Sequence, residues 1–394
     1  MAGQITTAKP AAALAGLDRL PTALRLPELL ANTFGHLSAR DGWQAAATCK
    51  AWRGPWRQRL KGMLRCVRRG LPVTRYNEHV SAADGGVIIT DYDNCTVNLY
   101  SLTGNLLSVY QNGDVEVDPG DYNVDEPSCA VCSPSDGDLM WVIDNDRCEL
   151  TLIRNTDSRR LRTIDFWYYD AVDLNALPFD ETQQPKDLAV AGDALLVLCN
   201  DYVGPYGRVI VLDVDTGAFR YYFGGEKGTA EELREPQSLA VAGDLVYVAD
   251  TYNHQVKVFR LADGTGTLVR TFGRAGNPPE LDEIMPYWHD TSNYYDARIG
   301  AGPGEFNEPW GIAVGKRRLY VSESAGARIQ VLSLPDGEPM HIVRSPDGLD
   351  LTGMYFATFS DGTGARVWCC GSEKGYTGID RRQENRAHIF AICD

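Results

Sequence analysis

The side chains that could ligate a metal or attack a substrate are few in this chain and widely spaced. Cys129 and Cys132 form a C-x-x-C pair, but no second Cys pair and no His pair stands at zinc spacing. His36 and His79 lie in or beside a leading helical segment, and His289, His341 and His388 show no paired spacing. Asp114-x-Glu116-x-Asp118 has the rhythm of half a calcium loop, yet Pro119 occupies the position that needs Gly. Gly224-Gly225-x-x-Gly228 runs into Ala230-Glu231-Glu232 without a basic phosphate ligand, and reads as a junction between strands. The ten cysteines read as reduced core thiols of a cytosolic or nuclear protein. Covalent chemistry, a metal and a cofactor are therefore not expected.

Binding is the function that remains. A length of 394 residues is enough for two or three domains, and the 44% apolar fraction is that of a soluble globular chain. No apolar run approaches the eighteen or so residues of a membrane span. Charge is divided unevenly: residues 1–79 hold 13 Lys and Arg against 4 Asp and Glu, and the remainder 25 against 49. The basic run at residues 50–69 reads as an exposed helix face, and the acidic bulk argues against nucleic acid as a general partner.

In residues 26–53, LPELLANTFGHLSARDGWQAAATCKAWR, the residues Leu26, Leu29, Leu30, Phe34 and Leu37 fall on one side of a helix. Pro27 suits the first turn, and Ser38 can cap a second helix. A segment of this size is near the lower limit for burying its own core, so its stripe must pack on a partner or on the rest of the chain. The Leu26-Pro27 start, the Glu28-Leu29-Leu30 triplet, Phe34, Leu37 and the Cys49-Lys50-x-Trp52-Arg53 end resemble an F-box. The resemblance implies docking onto the Skp-family adaptor of a cullin-based ubiquitin ligase through Leu26, Pro27, Leu29, Leu30, Phe34 and Leu37, with Cys49 and Trp52 holding the helical domain together. Residues 1–20 are expected to be a disordered tail, and residues 21–63 the F-box domain.

After residue 79 the chain repeats. EPQSLAVAGDLVYVADTYNHQVKVF (235–259) aligns with EPWGIAVGKRRLYVSESAGARIQVL (308–332), and looser copies begin near His79, Glu126, Gln184 and Leu351. Each copy reads as short strands broken by tight turns. The pattern Pro236, Ala240-Val241, Tyr247-Val248-Ala249-Asp250, Asn253-His254 and Val258-Phe259 resembles NHL repeats. The resemblance implies an all-β propeller over residues 64–394, here with six blades.

Five units end in a fourth strand, and the sixth stops at HIFAI before Asp394. The unpaired edge left there requires a strand from within residues 64–76 to close the ring. The F-box is then expected to project from the plain face of the ring.

The opposite face carries the long insertions, 113–126, 165–185 and 277–299, with sixteen acidic residues and one basic. Trp167, Tyr168, Tyr169, Tyr202, Tyr206, Tyr287, Trp288, Tyr294 and Tyr295 are the candidate substrate-binding residues there. Acidic loops with aromatic anchors suit a protein target with a basic segment. The expected function is the non-catalytic substrate-recognition subunit of a Skp–cullin–F-box ligase in the cytoplasm or nucleus. The alternative is a propeller hydrolase or lyase, or a small-ligand-binding propeller, with a helical cap. Deleting residues 1–76 should sharply lower the propeller's melting temperature by calorimetry, and an unchanged melt would refute the closing strand.

Overall fold

The computed structural model describes residues 77–111, 126–166, 183–273 and 302–344, apart from 84, 92–94, 158, 202–203, 225–227, 316 and 325–327. It also gives the backbone course of Leu64–Leu71, Tyr355–Ser360, Ala365–Ser372 and Asn385–Ile392. The first strand, β1, is Leu64–Leu71. Antiparallel four-stranded sheets follow in chain order. The first is β2 (Asn77–Ala83), β3 (Gly86–Asp91), β4 (Thr96–Ser101) and β5 (Leu106–Gln111). The second is β6 (Pro127–Cys132), β7 (Leu139–Asp144), β8 (Glu149–Arg154) and β9 (Arg159–Asp165). The third is β10 (Gln183–Ala191), β11 (Ala194–Asp201), β12 (Tyr206–Asp213) and β13 (Phe219–Phe223), with β14 (Leu233–Arg234) added on β12. The fourth is β15 (Ser238–Ala242), β16 (Leu245–Asp250), β17 (Gln255–Ala262) and β18 (Thr265–Phe272). The fifth is β19 (Pro309–Gly315), β20 (Arg318–Glu323), β21 (Arg328–Ser333) and β22 (Pro339–Arg344). The last three strands, β23 (Tyr355–Ser360), β24 (Ala365–Ser372) and β25 (Asn385–Ile392), pair with β1 in the order β1-β25-β24-β23.

This is an all-β propeller. Against the six units expected, five blades are described down to their side chains, and the sheet holding β1 is described by strand course. The first strands of successive blades, β2, β6, β10, β15 and β19, lie side by side around the axis, and β23 lies against both β19 and β2. The F-box segment, residues 26–53, lies outside the described residues.

The middle strands explain why the sheets stack. All eight residues of β11, ALLVLCND, are buried. An apolar run of that kind belongs to a strand covered on both faces. Leu195, Val197 and Cys199 pack toward the second blade with Trp141, Ile143 and Leu150. Leu196 and Leu198 pack toward the fourth with Val246, Val248 and Phe259. Tyr247, Ala249 and Val256 then meet Phe306, Leu319 and Val321 of the fifth blade. Each fully buried Val, Leu or Ile contributes about 1.5–3 kcal/mol, so the core is a set of seams between blades. Trp141 shows how tight a seam is. It is fully buried, its Nε1 donates to Val214 O at 2.7 Å, and a Cβ on Gly217 (φ +66°) would stand 2.7 Å from its ring.

In the first five sheets the second strand ends in a buried acid: Asp91, Asp144, Asp201, Asp250 or Glu323. The last two hold the entry loops of their own blades. Asp250 accepts from Arg234 N at 2.7 Å and Asn253 Nδ2 at 2.9 Å, and pairs with Lys257 Nζ at 3.0 Å. Glu323 accepts from Asn307 N and Arg328 Nε, both at 2.9 Å. Buried charges persist only when paired and hydrogen-bonded in this way. The Glu-Pro starts of the repeats have their own geometry: Glu235 and Glu308 both take positive φ, 42° and 52°. Glu308 N donates to His254 Nδ1 at 3.0 Å, which accounts for the Asn-His of the repeat.

Glu235 is buried and accepts from Asn200 Nδ2 at 2.8 Å, and burial raises its carboxyl above the usual range. A carboxyl raised in the folded state stabilises the fold below its unfolded pKa and loses that contribution as pH rises through the folded value. Glu235→Gln, which cannot ionise, should therefore gain stability relative to the native chain between about pH 4.5 and 7. Urea midpoints across that range check it, and a constant difference would refute it.

Candidate functional site

The first strands of the blades belong to different sheets, so side chains must bridge them. Ser81 Oγ on β2 donates to Ala130 O on β6, and from the second strands Thr90 Oγ1 on β3 donates to Ser128 O at 3.1 Å and Thr251 Oγ1, just beyond β16, to Pro309 O at 2.7 Å. Between β10 and β15 the bridge is Asp187, whose Oδ2 accepts from Leu239 N at 2.8 Å.

Asp187 belongs to a polar cluster inside this ring of strands. His79 comes from β2, Cys129 from β6 and Asp187 from β10, and all three are buried. His79 Nε2 lies 2.8 Å from Asp187 Oδ1. Cys129 Sγ lies 3.4 Å from the same oxygen, 3.4 Å from His79 Nδ1 and 3.7 Å from His79 Nε2. Asp187 Oδ1 also accepts from Leu188 N at 2.7 Å. Backbone irregularity aims these side chains. The strand register shifts between Asn77 and Val80, between Pro127 and Cys129, and between Pro185 and Asp187. A bulge turns a side chain out of the regular alternation; His79 lies within the first irregularity, and Cys129 and Asp187 end the other two.

His79 also lines the cavity enclosed by the first strands, of about 290 Å³. Its other walls are mainly apolar, with Val131, Leu188, Val190, Leu239, Val241 and Ile312 among them, and Ser81 adds a hydroxyl. The cluster therefore sits in the wall of a small central chamber. Cys129 is no nucleophile as it stands: burial first, and then the Asp187 charge, push its thiol well above the ordinary value. Cys199 is likewise raised by burial, and Cys148 is pushed up to about 11. Cys129, Cys148 and Cys199 are free thiols.

His79 is a correction to the sequence reading. Set aside as a neighbour of the helical segment, it is a first-strand residue facing the axis. Its partners share one position of the repeat, the second residue after the Pro: Cys129 after Pro127, Asp187 after Pro185, Ser238 after Pro236 and Gly311 after Pro309. That column was the available signal.

Of the substrate-face candidates, Tyr206 is described. It opens β12, is half-buried, and lies under the Arg234 guanidinium with 5.8 Å to the ring centroid. Trp167, Tyr168, Tyr169, Tyr202, Tyr287, Trp288, Tyr294 and Tyr295 lie outside the described residues. So do the adaptor candidates Leu26, Pro27, Leu29, Leu30, Phe34 and Leu37, together with His36, His289 and the run Asp114–Pro119. At the glycine-rich turn, Gly228 N donates to the Glu232 carboxylate, an acid where a phosphate cradle needs a base.

The NHL repeat model matches residues 233–259, from β14 into β17. No curated protein matches the chain. Among solved structures, the chain is similar to a luciferin-regenerating enzyme at 11% identity and a TM-score of 0.51, over 84% of this chain and 94% of that one. It also aligns with the β-propeller domain of Cps50 (Swd1) from Myceliophteria thermophila at 12% identity and a TM-score of 0.47, over 83% of this chain and 100% of that one. A third alignment is with virginiamycin B lyase from Staphylococcus aureus at 14% identity and a TM-score of 0.43, over 78% of this chain and 81% of that one. At such identities the likeness speaks to the fold alone.

Asp187 joins its own blade to three others through His79, Cys129 and the Leu239 amide. Asp187→Ala leaves the buried imidazole and two backbone N–H groups without their acceptor, at a cost of about 3 kcal/mol. In a double-mutant cycle with His79→Ala by urea denaturation, the two losses should overlap by at least about 1 kcal/mol. Simple additivity would show that the residues do not act as a unit.

Proposed function

We propose that this chain is the non-catalytic substrate-recognition subunit of a Skp–cullin–F-box ubiquitin ligase. Leu26, Pro27, Leu29, Leu30, Phe34 and Leu37 bury against the Skp-family adaptor, and the propeller captures the target. The observation that carries the reading is the position of the F-box-like segment. It ends at Arg53, and residues 54–63 alone separate it from β1, which is hydrogen-bonded into the last sheet. In this reading the β1-β25-β24-β23 sheet is the sixth blade, with β23 bridging β19 and β2 and β1 as its outer strand.

In this reading the ten-residue connection keeps a target held by the propeller within reach of the ligase. The gain is in effective concentration near the ubiquitin-loaded enzyme. The acidic, aromatic insertions are the target-binding surface in this proposal, and a protein with a basic segment is the ligand class they suit. The reading places the chain in the cytoplasm or nucleus. A second reading, a propeller that binds a small ligand, draws support from the apolar chamber beside His79.

Co-purification decides between them. The native chain should retain a Skp-family adaptor, and Leu30→Asp combined with Phe34→Asp should abolish that retention while leaving the propeller's melting temperature unchanged. A native chain that captures no such adaptor would overturn the ligase reading.

A further inference from the structure

We propose that His79, Cys129 and Asp187 form a binding site for a thiolate-preferring divalent cation, zinc above all, in the wall of the central chamber. The inference is independent of the ligase reading, because it concerns the first strands of the first three blades and not residues 26–53.

The distances carry it. A tetrahedral zinc with sulfur at about 2.3 Å and nitrogen and oxygen at about 2.0 Å sets its donors apart by about 3.6 Å for S···N, about 3.5 Å for S···O and about 3.3 Å for N···O. The observed edges are 3.7 Å for Cys129 Sγ to His79 Nε2, 3.4 Å for Sγ to Asp187 Oδ1, and 2.8 Å for Nε2 to Oδ1. Two of these edges are close to the required lengths; coordination opens the third by about 0.5 Å and turns the imidazole, because Sγ now lies nearer Nδ1, at 3.4 Å, than Nε2.

Backbone donors hold the carboxylate in place. The Leu188 and Leu239 amides fix the two oxygens of Asp187. Such outer partners orient ligands and tune a metal. Charge balances as well. Thiolate, carboxylate, neutral imidazole and a divalent cation sum to zero, which a buried site requires. Binding releases the Cys129 thiol proton, and the imidazole proton shared with Asp187 leaves Nε2, moving to Nδ1 or to solvent. The thiolate selects against magnesium and calcium, which take oxygen ligands. Three protein donors leave the fourth position for water or a small ligand in the chamber.

The test uses the full-length chain, purified without chelator and without a His tag. It should retain close to one equivalent of zinc by elemental analysis, and chelation should lower its melting temperature. Cobalt added to the stripped protein should give visible ligand-field bands and a near-ultraviolet sulfur-to-cobalt charge-transfer band. Cys129→Ser should lose that charge-transfer band, and Asp187→Asn should weaken cobalt binding at least about tenfold. Because chelation and cobalt spectra are read on the native chain, the test holds even where a variant fails to fold. A native chain that gives no charge-transfer band, or a band that survives Cys129→Ser, would overturn the site.

Discussion

No blade of this protein can bury its own faces. The middle strands are apolar on both sides, so a four-stranded sheet is stable only with another sheet against each face. That requirement makes a ring the natural arrangement. It also explains why the large buried side chains Trp141, Phe259 and Phe306 lie in the seams between blades. The outer strands have one neighbour within their sheet and water beyond, and their burial alternates. Phe219–Phe223 shows one side covered and the other open.

Among the described residues, the first strands of a ring built this way meet through side-chain rather than backbone hydrogen bonds. Hydroxyls and carboxylates do the joining, and unpaired groups at such depth would be costly. Register irregularities set His79, Cys129 and Asp187 at one point of the wall in three successive blades; the matching positions of the next two hold Ser238, on a strand without a shift, and Gly311, which has no side chain. A structural requirement for polar bridging thus concentrates ligating side chains at one point of the wall.

Much of the fold was legible. The alternation and turn spacing of residues 235–259 and 308–332 identified short strands, and the recurrence of those strands identified a propeller. The need for a strand between residues 64 and 76 followed from counting strands, and β1 is a strand paired with β25. The candidate cluster was not seen. His79, Cys129 and Asp187 are 50 and 58 residues apart along the chain, and metal or catalytic spacing is sought within a few residues. The first repeat also begins Asn77-Glu78-His79 rather than with a proline, which hid its place in the column.

The sequence by itself determined the repeat, the short strands and tight turns within it, and the F-box-like pattern ahead of them. These are local properties, set by side-chain alternation and by turn chemistry within a few residues. Only the tertiary structure decided which residues of different repeats meet. Ring closure converts an identical position in separate repeats into a shared location near the axis, and bulges decide which side chain each blade presents there. For that reason His79 reads as an isolated histidine in the sequence and as the partner of Cys129 and Asp187 in the folded chain.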